Sequence, residues 1–243
     1  MKKFLSLILC SLMFGVVLGN FNYIYAGEND NEVIDFNDPE DANPDNAGWV
    51  VTVTKGDVKK FKTEKADIIN KIKEAENKRR KWKENLDKEV NNLAMSDKKY
   101  IRLKELYNEI PNKLFSGRQN QKEVLNMIDE AIAIKDMDIF HFQKAIVMDG
   151  FVNEKEILSE LNKVKENVRP MMPFYYSLLA NLKKEKDDFQ GALDAITKGI
   201  NTCPSKNDYM IRASIYRRMG DKGNYNKDRK TFLILLAIDE MGY

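Results

Sequence analysis

Residues Phe189 to Pro204 read FQGALDAITKGINTCP. Two tiny side chains, Ala192 and Gly199, stand two helical turns apart among large apolar ones. On a helix they share nearly one face, so a second helix can approach closely there. A large side chain at either position would overpack the contact at roughly 1–3 kcal/mol. Gly199 also costs about 1 kcal/mol of helix propensity relative to alanine, which close packing must offset. Phe189, Leu193, Ile196 and Ile200 supply burial around the contact, and Pro204 stops the helix.

The same pattern extends in both directions. The spacing predicts four helix pairs: Lys99 to Glu109 with Gln121 to Ile134; Asp138 to Met148 with Asn153 to Val168; Pro173 to Lys184 with Phe189 to Thr202; and Tyr209 to Met219 with Asn226 to Glu240. Val124, Leu158 and Ala192 are spaced by thirty-four residues, and Ala131 and Gly199 by twice that. A fixed period of this size marks a repeat architecture.

Pro173 to Pro204, PFYYSLLANLKKEKDDFQGALDAITKGINTCP, resembles a tetratricopeptide repeat. Tyr176, Leu179 and Ala180 occupy signature positions of its first helix, and Ala192, Ile196, Gly199 and Pro204 those of its second. Asp187-Asp188-Phe189 replaces the usual Gly-Asp-Tyr turn. In the next stretch Tyr209, Ala213, Tyr216, Gly220 and Asp221 fit a further repeat, while Tyr225 falls where a small residue is expected and suggests a terminal cap. The two earlier pairs are poorer matches: Leu158 stands at a small position, and Pro111 interrupts the expected leading helix. The resemblance implies an all-α solenoid of helical hairpins over residues 98–243, clearest in 173–240, with a concave groove lined by first helices. Phe174, Ser177, Asn181, Lys184, Met210, Ser214 and Arg217 would line that groove and receive a peptide carrying a carboxylate.

Upstream, WVVTVT (Trp49 to Thr54) is the one convincing strand, and a lone strand must pair with something. A long helix should follow from near Asp57, as cap, to about Met95. Val58, Phe61, Ile68, Ile72, Ala75, Trp82, Leu86 and Leu93 form a coiled-coil-like seam, broken by Lys65, Arg79 and Glu89. Residues 49–97 would therefore either dimerise or pack against the next domain. The cluster KRRKWK, Lys78 to Lys83, could face an anionic membrane or nucleic acid, but flanking Glu74, Glu76, Glu84 and Asp87 make a solvated helix face the simpler expectation, with no nucleic-acid partner.

Residues 27–48 read as an acidic disordered linker, because 28–45 hold eight carboxylates and no Lys or Arg. Residues 1–26 show a basic start, an apolar run and Ala26 at a candidate cleavage point, the pattern of a signal peptide. The expectation is export to a bacterial periplasm or beyond; the alternative is an uncleaved inner-membrane anchor. After cleavage Cys203 would be the only cysteine, which suggests a small apolar core residue.

The chemistry is sparse. One histidine, His141 in IFHFQ, and one remaining cysteine cannot make the common zinc sites. No phosphate loop or nucleophile elbow accompanies them. The expected function is a non-catalytic interaction scaffold of the cell envelope, binding partner proteins or peptides without a metal or cofactor. A membrane-tethered spacer and, third, an enzyme acting on envelope polymers through paired carboxylates are the rival expectations.

Overall fold

The computed structural model describes residues 33–34, 51–114, 120–149 and 152–240. The expected signal peptide, Trp49, and all of the expected linker except Val33–Ile34 lie outside them. The described residues are all-α apart from one two-stranded ribbon. Strands β1 (Val33–Ile34) and β2 (Val53–Thr54) pair antiparallel, Val33 opposite Thr54 and Ile34 opposite Val53. The partner of the expected strand thus comes from the stretch read as linker.

Ten α-helices follow among the described residues: α1 (Lys55–Glu64), α2 (Ala66–Ser96), α3 (Ile101–Lys113), α4 (Gln121–Ile134), α5 (Asp138–Met148), α6 (Glu154–Lys163), α7 (Tyr175–Glu185), α8 (Phe189–Thr202), α9 (Lys206–Arg218) and α10 (Lys222–Glu240). The boundaries expected for α4, α5 and α8 are the observed ones. Compactness divides the chain into an inner unit, residues 77–178, and a terminal unit that joins the described residues before 77 to those from 179 onward. The division does not follow the expected boundary at 97/98.

Several local corrections have clear causes. Thr54, not Asp57, caps α1: the Asp57 N–H donates to Thr54 Oγ1 at 3.1 Å, and the Thr54 N–H donates back to Asp57 Oδ2 at 3.0 Å. The expected long helix breaks at Lys65, which leaves helical geometry while its N–H still closes on Phe61 O at 2.8 Å. Pro111 does not interrupt α3; it lies in the last turn, where only one intrahelical bond is forfeited. α6 ends five residues before the expected Val168. There Arg169 donates to Val164 O at 2.9 Å and Asn162 O at 3.4 Å, satisfying carbonyls that the helix leaves open.

In the inner unit, Leu103, Leu106, Ile110, Val124, Ile128, Ala131 and Phe140 form one buried core, with Val90 of α2 and the Tyr107 ring edge-on to Phe140 at 6.5 Å. Leu158 is only half-buried; α6 instead turns Ile157 and Leu161 inward, so the small residue expected at 158 has no close contact to serve.

In the terminal unit, Ala180 of α7, Ala192, Ala195 and Ile196 of α8, and Ile215 of α9 make one buried cluster, flanked by Leu179, Phe189 and Leu193. Gly199 is buried. The turn into α8 places Asp187 at φ 59°, the conformation usually left to glycine, and Asp188 caps α8 by accepting the Gly191 N–H at 2.9 Å. Gly220 takes φ 76° after α9. Ala213 of α9 is buried, while Tyr216 is half-buried.

The terminal unit's second core surrounds α10. Phe232 to Ile238, seven consecutive residues, are all buried. α9, β2 and α1 pack against that helix, contributing Tyr209, Val53 and Val58, and Ile72 of α2 joins the same core. Cys203 is buried as expected, its Sγ 3.7 Å from Ala75 O. The seam of the N-terminal helices is therefore covered by the chain itself: Val58 and Ile72 in this core, Val90 with Leu86 and Leu93 in the inner one. Leu236→Ala should cost about 2–5 kcal/mol by cavity formation, and Ala192→Leu about 1–3 kcal/mol by overpacking, both measured by urea denaturation. Stabilities equal to wild type for both would refute this account of the core.

Candidate functional site

The break after α1 has a consequence for the surface of the terminal unit. It directs Lys60, Phe61 and Lys65, then Ile68 and Lys71 of α2, along one wall of a cleft of about 590 Å³. The other wall is built by Ile200 at the end of α8, Pro204, Tyr209 and Arg212 of α9, and Lys227, Lys230, Thr231 and Ile234 of α10. Lys227, Thr231 and Ile234 follow helical spacing, so one face of α10 carries a cation, a hydroxyl and an apolar side chain into the same opening. The apolar floor comes from Phe61, Ile68 and Ile200, half-buried, with Ile234 buried beneath.

Six cations line the cleft against three carboxylates, Asp57, Glu64 and Asp228. Two of those carboxylates are engaged closely. Arg212 donates from Nε and Nη2 to Asp228 at 2.6 and 2.9 Å, a bidentate pair that is mostly buried. Lys230 Nζ donates to Asp57 Oδ1 at 2.7 Å. Burial alone would raise the Asp57 carboxyl, but the Lys230 ammonium and the Thr54 N–H and hydroxyl outweigh it and hold Asp57 below the usual carboxylate range. Glu64 reaches only the far edge of Lys60, at 3.9 Å and exposed. Among the described residues, the side chains of Lys65, Lys71 and Lys227 have no hydrogen-bond or ion-pair partner, and all three are exposed. The rim is therefore positive around an apolar floor.

The expected groove residues are placed differently. Ser177 and Asn181 are only 3% and 6% exposed, so neither presents a surface. Lys184 Nζ donates to Ser214 Oγ at 3.1 Å, and that hydroxyl donates to Ile211 O at 2.8 Å, so two of the seven meet. Met210 packs against the α10 core, Arg217 is half-buried, and Phe174 is half-buried at φ 68° just before α7. None of the seven lines the cleft. Phe61, Ile68, Ile200, Pro204 and Tyr209 carry only packing signals in the sequence and Lys65 only a break in the seam, and none of these marks the surface that they come together to line.

In the inner unit, His141 lies buried between Phe140 and Phe142. Its Nδ1 is 2.7 Å from Glu160 Oε2 and its Nε2 2.7 Å from Asp136 Oδ1. Lys163 reaches Glu160 Oε1 at 2.9 Å and Lys144 at 3.7 Å. Burial would raise the Glu160 carboxyl, yet Lys163, His141 and Lys144 together lower it. Both ring nitrogens face carboxylates, and no hydroxyl or thiol reaches His141 among the described residues, so the arrangement offers a buried ion network and no activated nucleophile. Of the KRRKWK cluster, Lys83 donates to Tyr107 Oη at 2.7 Å, and Tyr107 donates to Asp87 at 2.6 Å, tying that cation into the inner unit. No group of three or more His, Cys, Asp or Glu among the described residues could hold a metal ion. No described helix is long and apolar enough to cross a membrane.

No family model, curated protein or solved structure matches the chain.

Because its carboxyl is lowered on folding, Asp57 adds stability that is complete above its unfolded value of about 4 and is lost as pH falls through the lower folded value. Asp57→Asn keeps an acceptor for the Thr54 N–H but removes the charge. The stability gap between wild type and Asp57→Asn, present at about pH 6, should close as the pH approaches about 2. Thermal melts showing a gap constant with pH would rule out the ion pair as its source.

Proposed function

We propose that the chain is an exported, non-catalytic scaffold of paired helices, tetratricopeptide-like in its stacking, which holds a partner polypeptide of the cell envelope in the cleft over α10. The observation that carries this reading is the cleft itself: about 590 Å³, apolar at its floor and positive at its rim. That volume lies in the range of specific binding sites, and an apolar floor with a charged rim is how polypeptide interfaces are built.

The repeat reading draws support from the hairpin packing. Val124 and Ala192, and Ala131 and Gly199, stand two periods apart and are all buried, although Leu158 midway between the first two is only half-buried; Ala180, Ala192 and Ala195 share one buried cluster. Export rests on residues 1–26, whose basic start, apolar run and Ala26 form the signal pattern. In this reading no cofactor takes part, and the polypeptide is bound through side chains alone.

A photo-crosslinking amino acid placed at Lys71 or Lys227 should capture the same polypeptide in living cells, while one at Lys155, exposed on α6 of the inner unit, should not. Adducts absent at both cleft positions, or identical at Lys155, would overturn the assignment. Terminal sequencing of the protein recovered from the envelope should begin at Gly27; recovery of a chain that still starts at Met1 would reject release by cleavage.

A further inference from the structure

We infer that the occupant of the cleft is an acidic amphipathic segment of the partner, with apolar side chains on one face and carboxylates on both flanks. The inference rests on the proposed binding role and deepens it. Three features of the cleft select that chemistry.

The first is which cations are available. The Arg212–Asp228 and Lys230–Asp57 pairs already satisfy their carboxylates, so those acids present little repulsion to an incoming anion. Lys65, Lys71 and Lys227 are exposed and have no partner among the described residues. A basic occupant would meet these three ammonium groups directly, and like charges in contact are unfavourable.

The second is their placement. Lys65 and Lys71 stand on the wall formed by the end of α1 and the start of α2, and Lys227 on the wall formed by α10. Phe61, Ile68, Ile200 and Ile234 line the same cleft, half-buried or buried. A segment with an apolar stripe flanked by Asp or Glu puts each group where its complement waits, the helix-in-groove mode of recognition.

The third is what the cleft lacks as a site for nucleic acid. Sequence-tolerant binding of single strands uses exposed aromatic faces for base stacking. Here Tyr209 is only 7% exposed and Phe61 is half-buried, so neither offers an open face to a base.

Fluorescence anisotropy with the full chain tests this. The probe is a short fluorescein-labelled peptide with leucines at helical spacing flanked by glutamates. The comparison probes are the same peptide with glutamine for glutamate, a polyglutamate of equal charge, and a single-stranded oligonucleotide; anionic phosphatidylglycerol vesicles serve as competitor. The glutamate–leucine peptide should bind tightest, and raising salt should weaken it. Combining Lys65→Glu, Lys71→Glu and Lys227→Glu should weaken it by at least about tenfold, as three exposed charge contacts reversed together imply. Those side chains are exposed and unpaired, so the variant should melt as wild type does.

Equal binding by the reversed variant, or tighter binding of polyglutamate, oligonucleotide or vesicles than of the peptide, would overturn the inference. If the peptide fails to bind while Lys71 still crosslinks to a polypeptide, the acidic assignment falls and the scaffold reading stands. If both fail, the cleft is not the binding site.

Discussion

The terminal unit depends on covering α10. Phe232 to Ile238 place apolar side chains all round the C-terminal part of that helix, and a segment apolar all round is stable only when surrounded. A hairpin partner covers one side of such a helix. α9 supplies that side, while α1 and β2 supply another with Val58 and Val53. Segments separated by most of the chain therefore share one core. The N-terminal elements cover an apolar segment of α10 that its neighbour α9 leaves open.

The cleft is a by-product of that cover. α1 lies on α10 but cannot continue straight into α2, because the chain leaves helical geometry at Lys65. The break opens space between Phe61 and Ile68 on one side and Ile200 and Ile234 on the other. Its charge follows from the Thr54 cap. That cap accompanies the pairing of Asp57 with Lys230, so one of the two α1 acids in the cleft is neutralised, while Glu64 and the lysines at 65, 71 and 227 are left to solvent. The inner unit shows the contrasting case. There His141 and Glu160 pair in the interior, and the more exposed Lys163 and Asp136 reach in to them from the surface. That network links α5 to α6.

How much could be read beforehand differs from element to element. α4, α5 and α8 have strong three-and-four spacing and clear end signals, so their limits were legible to the residue. The end of α6 was not, because it is set by Arg169, a side chain that folds back on Asn162 and Val164. The groove expected from the repeat resemblance assumed that Ser177 and Asn181 face outward; both are buried. Polar residues on a helix face do not say whether another element will cover them.

Sequence by itself determined the helical class, the limits of α4, α5 and α8 and the burial of Ala192, because each follows from local features: periodicity, side-chain size and residue type. Tertiary structure alone decided that Val51 to Ile72 would lie against the last helix, that Val33–Ile34 would pair with β2, and that Lys65, Lys71 and Lys227 would face one opening. The physical reason is that burial is not directional. An apolar seam such as Phe61–Ile68–Ile72 announces that it must be covered, and any apolar surface of the right shape can cover it. Which surface does so is chosen by the whole chain when all of its seams are buried at once.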